Sequence, residues 1–175
     1  MNVHLEPYSE ILTLLSRWGI GSKDAKGLEI LALRKYDVHH LINAMSAILI
    51  YADTDVRFYG IDALPYLVPS EAVIDLLIPC LSDPSPDIRW TVCEALHDYP
   101  NPKVVLPLVK VLQEDENSDV RLVAAEALYA VGDERAIPAL AYAEKHDKGK
   151  DYEDRTVAHA ARQAITAIEK RKNER

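Results

Sequence analysis

One pattern occurs twice in the middle of this chain, with the same spacing between its parts. Asp87-Ile88-Arg89 followed by Glu94-Ala95-Leu96 returns as Asp119-Val120-Arg121 followed by Glu126-Ala127-Leu128, at a constant offset of 32 in the numbering. A fixed period of this length is typical of stacked helical repeats, in which no single unit can bury its apolar face alone. The period therefore predicts an array of similar helical units.

Fainter copies extend the array in both directions. Asp55-Val56-Arg57 precedes the first clear copy by the same offset, Asp24-Ala25-Lys26 stands about one period earlier still, and Asp154-Arg155 marks a looser last unit. Each unit is interpreted as a first helix that opens on the Asp-x-Arg pattern, a short turn and a second apolar helix. We predict one domain over residues 1–175, with a capping helix in 1–21 and repeats at about 22–51, 52–82, 83–114, 115–147 and 148–175.

Proline, glycine and asparagine stand where the predicted helices must end. Turns within units are predicted at Tyr36-Asp37, Leu67-Val68-Pro69, Tyr99-Pro100-Asn101-Pro102 and Gly132-Asp133, and turns between units at Asp83-Pro84-Ser85-Pro86 and Glu116-Asn117-Ser118. Only 7% of the residues are aromatic, so the core must be aliphatic, which suits interlocking helices. About ten helices and no strand are expected.

The residues of the clearest unit resemble a known family. Asp119-Val120-Arg121-Leu122-Val123-Ala124-Ala125-Glu126-Ala127-Leu128 and then Gly132-Asp133-Glu134-Arg135-Ala136-Ile137-Pro138-Ala139-Leu140 are similar to the short HEAT-like repeat first named for phycobilin lyases. The resemblance is strongest between Asp53 and Leu140. It implies an all-α, right-handed solenoid of about five helical hairpins with an N-terminal capping helix. Most members of the family are binding scaffolds, and a few are enzymes.

Four arginines form a column at the starts of the first helices, which we call the arginine ladder. Its predicted members, with the acidic residues beside them, are Arg57, Asp87, Arg89, Asp119, Arg121 and Arg155. The resemblance implies that each arginine bonds an aspartate or a carbonyl of the adjoining unit. Such pairs would fix the stacking register more than they would add stability. An anion-binding site is the alternative interpretation. By the same periodicity, Pro107 and Pro138 are expected in the first turns of their helices, where the missing N–H had no partner.

No pattern in the sequence indicates catalysis or a bound metal. His39-His40 are adjacent and would point about 100° apart on a helix, and the paired His-Glu dipeptides of HEAT-like deoxyhypusine hydroxylases are absent. No nucleotide-binding loop, nucleophile elbow or His-Glu-x-x-His motif occurs. We therefore expect no enzyme, no cofactor and no metal. Cys80 and Cys93 are expected to be small buried hydrophobes.

Charge and hydropathy limit the partners. The formal net charge of −8 disfavours nucleic acid, because it repels phosphates. No apolar run is long enough for a membrane span, and no signal segment opens the chain, so we expect a cytoplasmic protein without membrane contact. Between Asp83 and Asp119 eight acidic residues stand against three basic ones, which favours a basic or amphipathic protein partner.

Two groups of residues are candidates for partner contact. Phe58, Trp90 and Leu122 share one outward repeat position, where either the stacking of neighbouring helices or a partner would cover them. The second helices are apolar on nearly all sides, which predicts that Leu77, Leu108 and Tyr142 line an inner face of the solenoid. The full candidate set is Phe58, Asp75, Leu77, Trp90, Leu108, Lys110, Leu122 and Tyr142.

The sequence thus predicts a protein-interaction scaffold that presents its inner face to a protein partner. Two alternatives remain open. An accessory or lyase-type subunit that acts on a chromophore or a protein modification rests on the resemblance alone. A toxin-neutralising binding protein is compatible with the acidic surface but has no residue signature.

Overall fold

The protein is built from helices in two compact units. The computed structural model describes residues 6–17, Leu33 and 35–174. Unit 1 comprises Met1–Cys80 and unit 2 comprises Leu81–Arg175. Every regular element among the described residues is helical, and none of these helices combines the length and apolarity that crossing a bilayer requires. The predicted all-α class is confirmed.

Unit 1 contains four α-helices among its described residues: α1 (Glu6–Arg17), α2 (Val38–Tyr51), α3 (Thr54–Leu67) and α4 (Ser70–Cys80). Helix α2 contacts the other three. The largest side chains buried in this unit are aliphatic, namely Ile11, Leu15, Leu33, Met45, Ile48, Leu64 and Leu77. Helix α1 lies where the capping helix was predicted. The first helix predicted for residues 22–51 falls mostly outside the described residues.

Unit 2 contains five α-helices and one short 3-10 helix among its described residues. They are α5 (Pro86–Leu96), α6 (Pro102–Glu114), α7 (Ser118–Val131), the 3-10 helix Glu134–Ala136, α8 (Ile137–His146) and α9 (Val157–Asn173). An antiparallel bridge joins Lys150 and Thr156 in the loop before α9. Nine α-helices are thus described along the chain, against about ten predicted.

Helix α7 is the centre of unit 2. It packs against α5, α6 and α9, while α8 packs against α6 and α9. The first helices of successive hairpins, α5, α7 and α9, are therefore neighbours, and the second helices α6 and α8 are neighbours as well. Aliphatic side chains with 0–1% exposure fill the spaces between them: Ile88, Leu96, Leu108, Leu122, Leu128 and Leu140.

Short polar side chains begin most of these helices. Asn101 accepts a hydrogen bond from the Lys103 N–H at 2.9 Å, and Asn117 accepts from the N–H groups of Asp119 and Val120. Such caps satisfy N–H groups that have no partner within the helix. Five of the six predicted turns coincide with boundaries between described helices, where proline, glycine or a capping residue stands. The sixth, Tyr36-Asp37, directly precedes α2, and most of the residues before it lie outside the described part of the chain.

Proline placement was predicted correctly at one position and wrongly at another. Pro138 is the second residue of α8, as expected for a first turn. Pro107 instead lies inside α6, since Asn101 and Pro102 start that helix about one turn earlier than predicted. The helix continues past Pro107 although the carbonyl of Lys103 receives no N–H from it. Burial of the flanking Val104, Val105 and Leu108 supports this helix against the loss.

Helix α9 has one buried and one exposed face. Its buried stripe consists of Val157, Ala160, Ala161, Ala164 and Ile168. Its opposite face carries charged residues, and Arg162, Glu169 and Lys170 are all exposed. Small residues in the stripe let α9 approach α7 closely, so this helix covers the apolar side of its neighbour.

Replacing Leu128 by Ala should lower the free energy of unfolding by about 2–5 kcal/mol, because the fully buried side chain would leave a cavity between α7 and its neighbours. The matched control is Leu106→Ala on α6, where the side chain is 53% exposed. Chemical denaturation followed by circular dichroism measures both. Equal losses at the two positions would contradict the packing described for unit 2.

Candidate functional site

All three guanidinium nitrogens of Arg89, the ladder arginine of α5, donate hydrogen bonds to oxygens of neighbouring residues. The Nε and Nη2 atoms of Arg89 donate to the two carboxylate oxygens of Asp115 at 2.6 and 2.9 Å. Its Nη1 atom donates to the carbonyls of Asp83 and Pro84. Arg89 and Asp115 are both largely buried, with side-chain exposures of 10% and 5%. The guanidinium therefore joins the loop before α5 to the loop after α6.

The same arrangement recurs one repeat later. Arg121 donates from Nε and Nη2 to the carboxylate of Asp147 at 2.7 and 3.0 Å, and from Nη1 to the carbonyls of Asp115 and Glu116. Asp147 also accepts the Gly149 N–H at 2.7 Å. Two-pronged bonds of this kind fix the orientation of both groups. The arginine side chains therefore set the position of each hairpin against the next in unit 2.

The acidic partners of the arginines are not the residues beside them. Asp87 and Asp119, which were counted with the ladder, lie in the first turns of α5 and α7, and the ladder arginines of these helices bond Asp115 and Asp147. Asp115 begins the next predicted repeat, so its bond is of the kind that the resemblance implied. A carboxylate in the first turn is favoured by the helix dipole, which explains the Asp-x-Arg pattern without any contact between its two charges. The sequence did carry the correct signal, because Asp83, Asp115 and Asp147 recur at intervals of 32.

The two outer members of the ladder bond differently. Arg57 in unit 1 donates to the Ala52 carbonyl at 2.6 Å, which repeats the carbonyl contact of Arg89. Arg155 follows Arg121 at slightly more than one repeat period, because the loop that precedes α9 is longer than its counterparts. Its Nε donates to Asp151 at 2.7 Å and its Nη1 to Glu126 on α7 at 2.9 Å. Arg155 thus points across the first helices of unit 2 and is half exposed.

The first helices of unit 2 form a groove, which we call the α5–α7–α9 groove. It has a volume of about 760 Å³. Its floor is small and apolar, formed by Cys93, Val123, Ala127 and Ala160. Its walls carry aromatic, acidic and amide side chains, namely Trp90, Glu94, His97, Asp98, Glu126, Tyr129, Arg155 and Gln163.

Helical spacing brings the α5 residues of this groove together. Trp90 and Glu94 stand at i and i+4 on one face of the helix, and His97, at i+7, follows its last residue in a helical conformation and continues that face. Glu126 and Tyr129 take the equivalent positions on α7, each one repeat period after Glu94 and His97. The repeat therefore places two columns side by side in the groove: an acidic column of Glu94 and Glu126, and a ring-bearing column of His97 and Tyr129.

A second depression of about 230 Å³ continues from the groove toward the helix starts. Trp90 and Arg155 line both, so these two side chains stand between them. The second depression adds the carboxylates of Asp87, Asp119 and Asp151 and the ring of Tyr152, which is 88% exposed. Asp87 and Asp119, which do not serve the ladder, thus contribute negative charge to this surface.

Burial raises the pKa values of two titrating groups in the groove. It raises the pKa of the Glu126 carboxyl above its ordinary value, although the positive charge of Arg155 opposes the shift. It also raises the pKa of the Cys93 thiol, so this side chain stays protonated and behaves as an apolar part of the floor. A further cation close to Glu126 would stabilise its charged form.

Three of the predicted contact residues are buried. Leu77 and Leu108 have exposures of 0% and pack inside their units, so the predicted inner-face contact is wrong for these two. Leu122 is 1% exposed, as the stacking interpretation of its column expects, and lines the second depression. The buried apolar residues of α4 and α6 pack against other helices of the same unit. The groove of unit 2 lies instead on the helices that open with the Asp-x-Arg pattern.

Solvent exposure differs among Phe58, Trp90 and Leu122, which share one repeat position. Leu122 is covered because α7 has α5 and α9 as neighbours. Trp90 on α5 is partly exposed and lines the groove, and Phe58 in unit 1 is 38% exposed with its ring edge-on to Tyr59. Of the three, Trp90 is the residue that a ligand in the groove would meet.

The remaining candidates lie on exposed parts of the second helices. Asp75 and Lys110 are exposed, and Lys110 lies 4.0 Å from Glu114 on the same helix. Tyr142 on α8 is 65% exposed, and its ring lies 4.6 Å from that of His146, centroid to centroid. None of these three lines the α5–α7–α9 groove, so the structure does not bring them together with Trp90.

These features define a class of protein: an all-α helical-repeat chain of the solenoid type, with successive hairpins held in register by buried arginines. HEAT repeats match the chain over residues 40–128 and 74–166. The chain belongs to the HEAT-repeat family. The narrower likeness to phycobilin lyases stays a prediction from the motif.

Known structures agree on the fold. The crystal structure of an engineered protein, a target of the Northeast Structural Genomics Consortium, superposes with a TM-score of 0.53 at 19% identity. The match covers 90% of this chain and 78% of that protein. No curated protein matches the chain in sequence. At this identity the likeness shows the fold alone.

Replacing Arg89 by Met should lower the free energy of unfolding of the protein by about 3–5 kcal/mol, because Asp115 would be left buried without its partner. Arg162→Met is the matched control. That guanidinium bonds Glu144 and is 70% exposed, so its loss should leave the denaturation midpoint nearly unchanged. An Arg89 variant as stable as the control would contradict the structural role of the ladder.

Acid should weaken the Arg121–Asp147 pair. Burial favours neutral Asp147, but the bonds from Arg121 and the Gly149 N–H outweigh burial and hold its pKa below the ordinary value. The unfolded chain therefore takes up this proton first as the pH falls. The pair's contribution is present above the ordinary aspartate pKa of about 4 and is lost as the pH falls through the lower folded value. Unfolding curves across acidic pH should show a shallower dependence for Asp147→Asn and for Arg121→Met. Curves parallel to that of the parent would contradict the assignment.

Proposed function

We propose that this chain is a protein-interaction module whose binding site is the α5–α7–α9 groove of unit 2. The observation that carries the proposal is a groove with an apolar floor and a partly exposed tryptophan in its wall. Tryptophan is among the residues that contribute most to binding when a partner covers them. HEAT repeats commonly mediate protein interactions, which supports the same function.

The shape and chemistry of the groove suit a segment of polypeptide. Its floor residues Val123, Ala127 and Ala160 are small, apolar and 1–5% exposed, so a partner side chain in the groove would meet mainly the wall side chains. Its walls supply carboxylates and the amide of Gln163, which can accept and donate hydrogen bonds along a backbone. An apolar centre with a polar rim is the usual anatomy of a protein interface.

The proposed role is binding without catalysis. The titrating groups of the groove are bonded to one another or exposed: Arg155 bonds Glu126, and the His97 ring lies 3.2 Å from Asp98. The only thiol in the groove wall or floor, within the described residues, is the protonated Cys93. These groups fit recognition, in which charge and shape select the partner.

Trp90→Ala should weaken capture of the partner by more than about fivefold, the loss typical of an interface anchor. The tagged parent protein, the Trp90→Ala variant and a Tyr142→Ala variant are used to capture partners from cells, and bound proteins are compared by quantitative mass spectrometry. Tyr142 is the matched control, because it is an exposed aromatic residue outside the groove. Circular dichroism establishes that each variant is folded.

A partner held equally by the parent and by Trp90→Ala, but lost with Tyr142→Ala, would place the binding site on α8 instead. A partner held equally by all three proteins would remove both surfaces from consideration.

A further inference from the structure

The groove already holds one guanidinium group. Arg155 extends from the loop before α9 and bonds Glu126 at 2.9 Å and Asp151 at 2.7 Å. The side chains of Arg155 and Glu126 are 50% and 40% exposed, so their contact lies at the mouth of the groove, whereas the Asp151 side chain is 3% exposed. The carboxylates on this surface are thus spaced so that an arginine side chain fits between them.

Carboxylates exceed cations along this surface. The groove and the depression beside it are lined by six carboxylates, namely Asp87, Glu94, Asp98, Asp119, Glu126 and Asp151. Among the described residues, Arg155 is the only arginine or lysine in either lining. Arg89 and Arg121 lie nearby in sequence but direct their charges to Asp115 and Asp147. The surface therefore keeps a negative excess, which attracts a cationic ligand and repels an acidic one.

Trp90 lies next to these carboxylates, where its ring can contact a bound cation. It lines both depressions and lies one helical turn before Glu94 on the same face of α5. A guanidinium that stacks on an indole ring gains attraction from the ring face, and its N–H groups stay free to bond a carboxylate at the edge. An ammonium group has no flat face to stack, so arginine should be preferred to lysine.

We propose that the α5–α7–α9 groove recognises a protein segment rich in arginine, with one arginine side chain stacked on Trp90 and bonded to Glu94. The proposal rests on the proposed function and adds the chemistry of the partner. Arg155 acts as an internal occupant of the neighbouring position at Glu126. An incoming arginine displaces it or binds beside it, and the attraction of the groove for cations is lower while Arg155 is present.

The test uses the full-length protein and short fluorescein-labelled peptides in which leucine alternates with arginine, lysine, glutamine or glutamate. Fluorescence anisotropy measures binding at physiological and at high salt. The arginine peptide should bind most tightly, the lysine peptide more weakly, and the glutamate peptide not at all. Higher salt should weaken the arginine complex, because exposed charges are screened.

Variants locate the binding. Glu94→Gln should weaken the arginine peptide about tenfold, the loss expected for about 1.4 kcal/mol of interaction. Glu114→Gln is the matched control, since it removes the same charge from an exposed position on α6 outside the groove. Arg155→Gln should tighten binding of the arginine peptide, because it removes the competing guanidinium group. If Arg155 only supported the loop, the same substitution would weaken binding.

Four results would overturn the proposal. Glutamine and arginine peptides that bind equally would show that the groove selects apolar residues. Equal effects of Glu94→Gln and Glu114→Gln would place the peptide elsewhere on the protein. Arg155→Gln weakening the complex would show that Arg155 contacts the partner directly. If no peptide binds while Trp90→Ala still releases the cellular partner, the arginine chemistry is wrong and the groove stands as the binding site.

Discussion

Burial of one helix on several sides is the constraint on which unit 2 depends. Eight of the fourteen residues of α7 are buried, and they do not lie on a single stripe. A helix of this kind is stable only when neighbours cover it from more than one direction. Helices α5, α6 and α9 supply that cover, so the hairpins must stack. The groove is a consequence, because α5 and α9 flank α7 and leave a depression above the buried Val123 and Ala127.

The arginine ladder decides how the stacked helices are aligned. Aliphatic contacts are not directional and would tolerate small slides of one hairpin along the next. The two-pronged bonds of Arg89 and Arg121 allow one arrangement each, since every nitrogen of the guanidinium has a fixed acceptor. Their cost in desolvation means that they specify register more than they add stability. Arg155 does not align hairpins in this way. The loop before it is longer than its counterparts, and its guanidinium group lies in the groove.

The same periodicity that builds the fold also builds the candidate site. Glu94 and Glu126 occupy equivalent positions, as do His97 and Tyr129, so stacking places like residues next to one another. Side chains with no structural task are therefore gathered into columns. One helical turn before the acidic column, Trp90 adds an aromatic surface that α5 leaves partly exposed. A binding surface arises from positions that each repeat leaves exposed.

The sequence by itself determined the helices, their turns and the family, because a fixed repeat period and the proline and asparagine at its boundaries act locally. It also contained the spacing of Asp115 and Asp147, although the acidic residues next to each arginine were the more conspicuous signal. Only the tertiary structure decided which apolar residues are exposed at the surface. Trp90 and Leu122 share one repeat position, yet Leu122 is buried between two helices while Trp90 lines a groove. Exposure depends on which neighbours a helix has, and a repeat motif is the same whether its helix lies inside the stack or at an open side.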